Sequence, residues 1–299
     1  TRLWARGDLF VPVIVDTLLN LGAEPDAVTI IIALGTHADL APETFPSLAG
    51  QSCADRIRIL NSANENSDRL VRIGTTGRGT DLTVTKEAFE ADHIIIFGGV
   101  LHHLIAGFGG GRKYILPGIA GYTSIQQNHS LAFLPDGRPH PGVIQGNLSG
   151  NPIHEDMEEA AQIFLKDKTC VYAAVAANGA GEIFDVRTGP LSSTFESACK
   201  KLDQACCAPI REKGDFALIS AGGHRTDRQL YQATKAVFNA VNAVREGGKI
   251  LFTAAASDGV GNTAFESDLK AYKGRTREIG ARLLEEFNMI SYVAFRVLD

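Results

Sequence analysis

The densest group of side chains able to do chemistry lies in residues 101–129. It combines two adjacent histidines, a glycine triplet, a basic pair and a last histidine: His102, His103, Gly109, Gly110, Gly111, Arg112, Lys113 and His129. Because glycine lacks a side chain, the main-chain N–H groups of the triplet can face an anion or a flat ring. Imidazole exchanges protons near neutral pH and also binds metals such as nickel. These residue types predict a bound group held beside acid–base or metal chemistry.

The common phosphate-binding signatures do not account for this block. The Gly-x-x-x-x-Gly-Lys-Ser/Thr spacing of a P-loop is absent, and no Gly-x-Gly-x-x-Gly follows a strand. Lys113, directly after the glycine triplet, is nevertheless placed to reach a bound group. We interpret His102 as a packing or hydrogen-bonding neighbour of that site.

Short apolar runs and helical spacing of apolar residues predict the elements that must position these side chains. The predicted strands are 28–34, 93–97, 170–176, 216–220 and 249–255, and the predicted helices include 9–21, 153–165, 230–244 and 266–287. Strands alternating with helices indicate an α/β fold with mainly parallel sheets flanked by helices. We expect two lobes, with the active site in the cleft between them. The lobes are an N-terminal catalytic and cofactor-binding domain (1–207) and a truncated C-terminal α/β domain (208–299).

Three of the predicted strands run directly into small or glycine-rich segments. These are Gly35-Thr36-His37, Gly98-Gly99 and Gly222-Gly223-His224. Ligands of open α/β sheets bind at the carboxyl ends of the strands. The pattern therefore predicts that one edge of the sheet is the active face and that His37 lies on it.

Composition excludes several classes of protein. The 299 residues carry a net charge of −5 with scattered Lys and Arg, which argues against a nucleic-acid partner. No apolar run reaches the roughly 18 residues of a membrane span. An odd number of cysteines, five, without a Cys-x-x-Cys pair argues against a disulfide framework or structural zinc, and predicts reduced, mostly buried thiols in a cytoplasmic protein. The first residues resemble neither a signal peptide nor a natural start, so we expect an excerpt of a longer protein.

Several of these blocks together resemble the nickel-dependent lactate racemase family. HLIAGFGGGRK (103–113), followed by ILPGIA (115–120) and then His129, resembles the signature block of the family. Further blocks of the family are resembled in the same order along the chain. They are GTH (35–37), NPIHE (151–155), and GG (222–223) with Asp227 and YQATKA (231–236). The resemblance implies a cytoplasmic isomerase, a racemase or epimerase of a lactate-like 2-hydroxy acid. It implies cofactor-biosynthesis enzymes as partners and no membrane.

The resemblance also implies a role for individual residues. Lys113 would carry the nickel-pincer nucleotide, pyridinium-3-thioamide-5-thiocarboxylic acid mononucleotide, with the glycine triplet in the cofactor-binding block. His129 would be a protein ligand of the nickel. His37 and His103 would be the two acid–base groups, one on each face of the substrate, while hydride passes to and from the cofactor. Substrate binding would involve Gln232 and Lys235.

Two departures from the family pattern affect these expectations. The family's Asp-x-Thr-Arg motif is only half present, as Thr1-Arg2, and on this alignment Arg2 contacts the cofactor phosphate or the substrate. A family tryptophan near the C-terminus has no counterpart, since the single tryptophan is Trp4. Substrate preference is the property that this second departure affects most.

The residues by themselves leave two other functions open. The first is a metal hydrolase, since three histidines can hold a catalytic zinc. Its ligands would be His37, His103 and His129. A non-catalytic nucleotide-binding protein could keep the same fold. Single features are also compatible with structure alone, because the glycine triplet could be a turn. The other histidines, His93, His140, His154 and His224, are interpreted as structural.

Overall fold

The computed structural model of the chain describes residues 5–65, 67–178 and 180–299, with all of their side chains except those of Ser67 and Arg225. It divides into two compact units. The first comprises the described residues up to Asn128 together with Gly146–Cys207. The second comprises His129–Gln145 and Ala208–Asp299. Among the described residues, no helix has both the length and the apolar character needed to cross a membrane.

The first unit contains three sheets. β1 and β2 pair in parallel, β3 and β4 pair antiparallel, and the remaining four strands form a sheet in the order β6-β5-β7-β8. In this sheet β5 and β7 are parallel, whereas β6 and β8 are antiparallel to their neighbours. The strands of the first unit are β1 (Thr29–Ile32), β2 (Arg58–Asn61), β3 (Leu70–Thr75), β4 (Asp81–Thr85), β5 (His93–His103), β6 (Gly107–Gly109), β7 (Thr169–Ala177) and β8 (Ile183–Gly189).

The second unit contains the parallel pair β9 (Gly214–Ser220) and β10 (Val244–Thr253). Helices flank the sheets, so the predicted α/β class is confirmed, with mixed as well as parallel sheets. The helices are α1 (Gly7–Asn20), α2 (Phe45–Ala49), α3 (Gln51–Ala54), α4 (Lys86–Glu90), α5 (Tyr122–Ser130), α6 (Pro152–Leu165), α7 (Leu191–Cys206), α8 (His224–Asp227), α9 (Leu230–Ala233), α10 (Lys235–Ala240), α11 (Thr263–Ala271), α12 (Thr276–Glu285) and α13 (Met289–Leu298).

The strand that leads to the candidate site is longer than predicted. The sequence places its end at Gly98-Gly99, but β5 continues through both glycines to His103. A Cβ at Gly98 would collide with the phenol of Tyr114, so this glycine allows a close side-chain approach and does not end the strand. His103 is therefore the last residue of a strand, and its backbone is held by ladder hydrogen bonds to β6.

Two predicted helices are interrupted. The segment 230–244 forms α9 and α10, followed by a 3₁₀ turn, and its last residue begins β10. The segment 266–287 is divided between α11 and α12 near Gly274, whose φ of +73° is the left-handed conformation that ends helices. Apolar spacing alone does not reveal these breaks, because the residues on both sides of each break still face the core.

The segment 129–145 lies in the second unit, whereas the predicted boundary at 207/208 placed it in the first domain. Phe133 contacts Tyr292 and Phe295, with ring centroids 5.7 and 5.1 Å apart. The Gln145 amide also donates a 2.7 Å hydrogen bond to Asn239. These contacts join residues that are far apart in the chain, which is why no local signal marks the segment.

Candidate active site

The turn between β5 and β6 holds the ring of His103 in a defined orientation. The N–H groups of Ile105 and Ala106 both donate to its Nδ1, at 3.3 and 3.2 Å. The Asn151 amide donates to the carbonyl of Ile105 at 2.9 Å, while its Oδ1 caps the first turn of α6. The ring is thus oriented by its own hairpin, and the hairpin is held by the N-terminus of a helix.

Lys113 lies against this histidine. The chain leaves β6 and turns at Gly110 into a short 3₁₀ helix, Gly111–Tyr114, whose third residue is Lys113. The Lys113 Nζ is 3.0 Å from His103 Nε2. Two residues that the sequence assigned to one site are therefore in direct contact.

The hydrogen bonds of His103 determine where the shared proton lies. Because Nδ1 accepts from two backbone N–H groups, the proton of the neutral ring belongs on Nε2. An Nε2–H can only donate to Lys113 if the amine carries no proton of its own on that side. Burial, and secondarily the nearby Arg112 guanidinium, lower the pKa of Lys113 to about 7. With this pKa about half of the Lys113 side chains are neutral at pH 7, and the neutral amine is the nucleophilic form of lysine.

Arg112 ties together the segment between these two residues. Its side chain is fully buried, and it donates to the carbonyls of Ala106 at 2.8 Å and Gly110 at 3.3 Å. The guanidinium lies 4.2 Å above the ring centroid of Phe195, and Glu158 is its carboxylate partner at 3.9 Å. A buried charge needs such partners, so Arg112 fixes both ends of the loop that carries the glycine triplet.

The glycine triplet itself faces other parts of the protein. A Cβ at Gly110 would lie 2.8 Å from the carbonyl oxygen of Gly99, and one at Gly111 would lie 2.7 Å from the Phe195 ring. Both glycines also have positive φ, +100° and +56°. Close packing therefore requires glycine at these positions, and a contact of the triplet with a cofactor stays a prediction.

The loop carrying His37 is attached to the same block. After β1, the N–H of Gly35 donates to the carbonyl of Gly118 at 2.9 Å, and Gly118 N–H donates to the Lys113 carbonyl at 2.9 Å. The Asn64 amide donates to the Gly35 carbonyl at 2.6 Å. An open cavity of about 500 Å³ adjoins this loop at the carboxyl ends of β1 and β2. It is lined by Thr36, His37, Ala38, Asp39, Ser62, Ala63, Asn64, Glu65 and Arg69.

The other predicted site residues belong to the second unit. His129 is buried in the last turn of α5, and Phe287 contacts the edge of its ring at a centroid distance of 5.4 Å. Lys235 donates a 2.7 Å hydrogen bond to Gln232 Oε1, and burial lowers the pKa of its ammonium group. The roles of these three residues stay predictions. Arg2 lies outside the described residues.

Comparison with known proteins identifies the family. Residues 1–139 match the lactate racemase N-terminal domain, and residues 210–289 match the lactate racemase C-terminal domain. The chain belongs to the lactate racemase family. It is 31% identical to the lactate racemase of Lactiplantibacillus plantarum over 87% of this chain and 59% of that protein. It is 30% identical to the lactate racemase of Thermoanaerobacterium thermosaccharolyticum over 80% of this chain and 54% of that protein.

Solved structures agree with this assignment. The lactate racemase apoprotein from T. thermosaccharolyticum matches 99% of this chain and 70% of its own, with a TM-score of 0.86 and 27% identity. A protein from Thermotoga maritima shares the fold at a TM-score of 0.70 and 20% identity, over 99% of this chain and 75% of its own. This member of the lactate racemase family spans little more than half the length of the curated relatives that it matches.

The contacts of this lactate racemase family member fit a covalently attached cofactor. A neutral amine on Lys113 is the form that makes a carbon–nitrogen bond, and the imidazole of His129 is of a type that binds nickel. Sequence reasoning missed the roles of Arg112, Asn64 and Asn151 in holding the site. Signals were present for Arg112 and Asn151, since an arginine inside a glycine-rich apolar block and an asparagine before a helix-starting proline both indicate buried hydrogen bonding.

Proposed function

We propose that this chain is the catalytic part of a nickel-dependent racemase of a lactate-like 2-hydroxy acid. The observation that carries the proposal is the buried Lys113 amine in contact with His103, within the N-terminal domain that matches the lactate racemase family. Lys113 would carry the nickel-pincer nucleotide, and His129 would be the protein ligand of its nickel. When bound, this group supplies the acceptor for the hydrogen on C2 of the substrate.

The protein supplies the proton transfers. Oxidation of a 2-hydroxy acid at C2 requires a base for the hydroxyl proton, and return from the opposite face requires an acid there. His37 and His103 perform these two tasks, and they exchange roles when the other enantiomer is the substrate. Histidine is suited to both directions because its pKa lies near neutral pH.

Attachment at Lys113 changes the surroundings of His103. An amine engaged in a thioamide has no basic lone pair, so it no longer accepts a hydrogen bond from His103 Nε2–H. His103 would then lose this acceptor, and its Nε2–H could donate to an oxygen of the substrate instead. To act as a base at Nε2, the neutral ring must carry its proton on Nδ1, so the Ile105 and Ala106 N–H groups must give up their bonds to that nitrogen. Loading of the cofactor and preparation of the acid–base group are therefore coupled through one contact of 3.0 Å.

Co-expression with the cofactor-building enzymes tests the proposal. Each pure enantiomer of a panel of 2-hydroxy acids is incubated with the loaded chain, and formation of the opposite enantiomer is measured. Mass spectrometry of the denatured chain should locate the added mass on Lys113. Lys86→Ala is a matched control, because Lys86 lies exposed in α4 and pairs with Glu90. Absence of added mass in the wild-type chain, or unchanged added mass in Lys113→Ala, would contradict the proposal.

A further inference from the structure

Three potential metal ligands meet outside the residues assigned to racemisation. His102 Nε2 is 2.7 Å from Asp203 Oδ1, and Cys207 Sγ is 3.7 Å from the same nitrogen and 3.5 Å from the same oxygen. One ligand atom from each of the three residues lies within 4.8 Å of the other two. Among the described residues, no other group of three or more His, Cys, Asp or Glu side chains meets this distance.

The arrangement differs from a nucleophile–base–acid relay. In such a relay the nucleophile and the carboxylate contact opposite nitrogens of the imidazole, so that a proton can pass through the ring. Here the thiol and the carboxylate approach one and the same nitrogen, Nε2. Three ligand atoms that converge on one point are arranged as a chelate.

The separations suit a small divalent cation. With zinc–ligand bonds of about 2.0–2.3 Å at tetrahedral angles, a sulfur atom lies about 3.6 Å from a nitrogen or oxygen ligand of the same ion. Both sulfur distances in the cluster, 3.7 and 3.5 Å, already have this value. The nitrogen–oxygen pair would need to open from 2.7 Å by about 0.7 Å. That movement is within the reach of the Asp203 side chain, which is 43% exposed.

The fold holds the ligands on two firm elements. Asp203 lies in the last turn of α7, and Cys207 directly follows the helix, where its N–H donates to the Asp203 carbonyl at 2.9 Å. His102 lies on β5, where its side chain points to the face opposite that of His103. The ring of His102 also packs against Phe108, with centroids 5.0 Å apart. Cys207 is exposed, which leaves a path for an ion to enter.

We infer that His102, Asp203 and Cys207 form a site for a divalent cation of the zinc class, distinct from the proposed nickel ligand His129. Thiolate and imidazole ligands favour zinc over magnesium or calcium, which prefer oxygen. Three protein ligands leave a fourth position for water. Such an ion would link the end of α7 to the strand that carries His103.

Zinc titration of the full 299-residue chain without cofactor tests the inference. Every variant carries His129→Ala, so that the proposed nickel ligand does not compete for zinc. Affinity is measured by competition with a chromophoric chelator, and Co²⁺ serves as a second probe because a cobalt–thiolate bond absorbs in the near ultraviolet. We expect one bound equivalent. Loss of a residue that only supports a metal ligand typically weakens metal binding by about 10–100-fold. Cys207→Ser and His102→Gln remove ligands themselves, so each should weaken zinc binding by at least this factor.

Cys206→Ser provides the matched control, because Cys206 is an adjacent exposed thiol outside the cluster. It should keep both the affinity for zinc and the cobalt–thiolate absorption. Melting curves of the metal-free variants exclude misfolding as the cause of any loss. No binding by the parent chain, or equal binding by Cys207→Ser, would overturn the inference. So would zinc binding that depends on His103 instead of His102. Because cofactor and substrate are absent, failure of the proposed racemase activity would not affect the result.

Discussion

Lys113 and Lys235 are the two lysines that the sequence assigns to ligands, and their surroundings differ. Lys113 contacts an imidazole and lies beside the buried Arg112, and both its burial and the Arg112 guanidinium disfavour its charged form. Lys235 keeps an uncharged amide acceptor, Gln232, and lies near the ring of Tyr231. The first environment favours a neutral nucleophile, and the second still solvates a cation. The two environments therefore match the two different roles that the sequence predicts, bond formation for Lys113 and charge complementarity for Lys235.

The largest expected effect comes from removing Lys113. Lys113→Ala should lose all covalently retained cofactor and lower racemisation below detection, because no other amine occupies its position. Lys235→Ala should retain the full added mass while its activity falls. Intact-mass measurement under denaturing conditions separates the two variants. Equal retention of mass by both would remove the distinction between the lysines.

The acid–base pair should give the next largest effect. His37→Ala and His103→Ala should each slow net racemisation in both directions by about 10²–10⁴-fold, the usual contribution of such groups. Single-turnover reduction of the cofactor by each pure enantiomer distinguishes them. One variant should be impaired mainly with one enantiomer, and the other variant with the opposite enantiomer. Equal impairment with both enantiomers in both variants would refute the two-face assignment.

Replacing the arginine beside Lys113 should cost stability. Arg112→Met leaves the carbonyls of Ala106 and Gly110 without their buried donor, so we expect a loss of about 3–5 kcal/mol in the free energy of unfolding. Arg228→Met is the control in the second unit, because Arg228 forms an exposed ion pair with Asp258 that should be worth about 0–1 kcal/mol. Urea denaturation measures both values. Similar losses in the two variants would show that the burial of Arg112 is not energetically important.

The smallest effect is a difference in pH dependence. The rate at which acetic anhydride labels the unloaded Lys113 amine should follow the neutral fraction of that amine. With a pKa of about 7, this rate should rise about tenfold per pH unit up to pH 7 and stay constant at higher pH. The rate at Lys235 should continue to rise at higher pH. Competitive labelling followed by peptide mass analysis compares the two lysines in one sample. Parallel labelling curves would contradict the lowered pKa of Lys113.

The same lowered pKa makes stability depend on pH. Unfolded lysine keeps its proton up to about pH 10.4, whereas folded Lys113 loses it near pH 7. Between these values the unfolded state binds more protons, so the stability of the wild-type chain should rise with pH relative to Lys113→Met. Below pH 7 both states are protonated, and the difference between the two chains should be constant.

Most of the secondary structure at the site could be predicted from local patterns. The apolar runs at β1, β5, β7, β9 and β10 mark strands, because several β-branched or apolar residues in sequence suit a pleated sheet. The predicted burial is wrong for β9 and β10, where Phe216, Leu218 and Leu251 are more than half exposed. The end of β5 could not be predicted, since Gly98 has its role only in relation to the Tyr114 ring. Likewise, α7 was missed, although its residues supply Asp203 and Phe195.

The sequence by itself determined which family the chain resembles and which residues are predicted to form the site. The order and spacing of the motifs predict His37, His103, Lys113 and His129, because each of these residues lies within a short motif that is visible in the sequence. Only the tertiary structure decided the state of these groups. The proton position on His103, the lowered pKa of Lys113 and the burial of Arg112 depend on distances and desolvation. The meeting of His102 with Asp203 joins side chains 101 positions apart, and only the folded chain brings these two residues together.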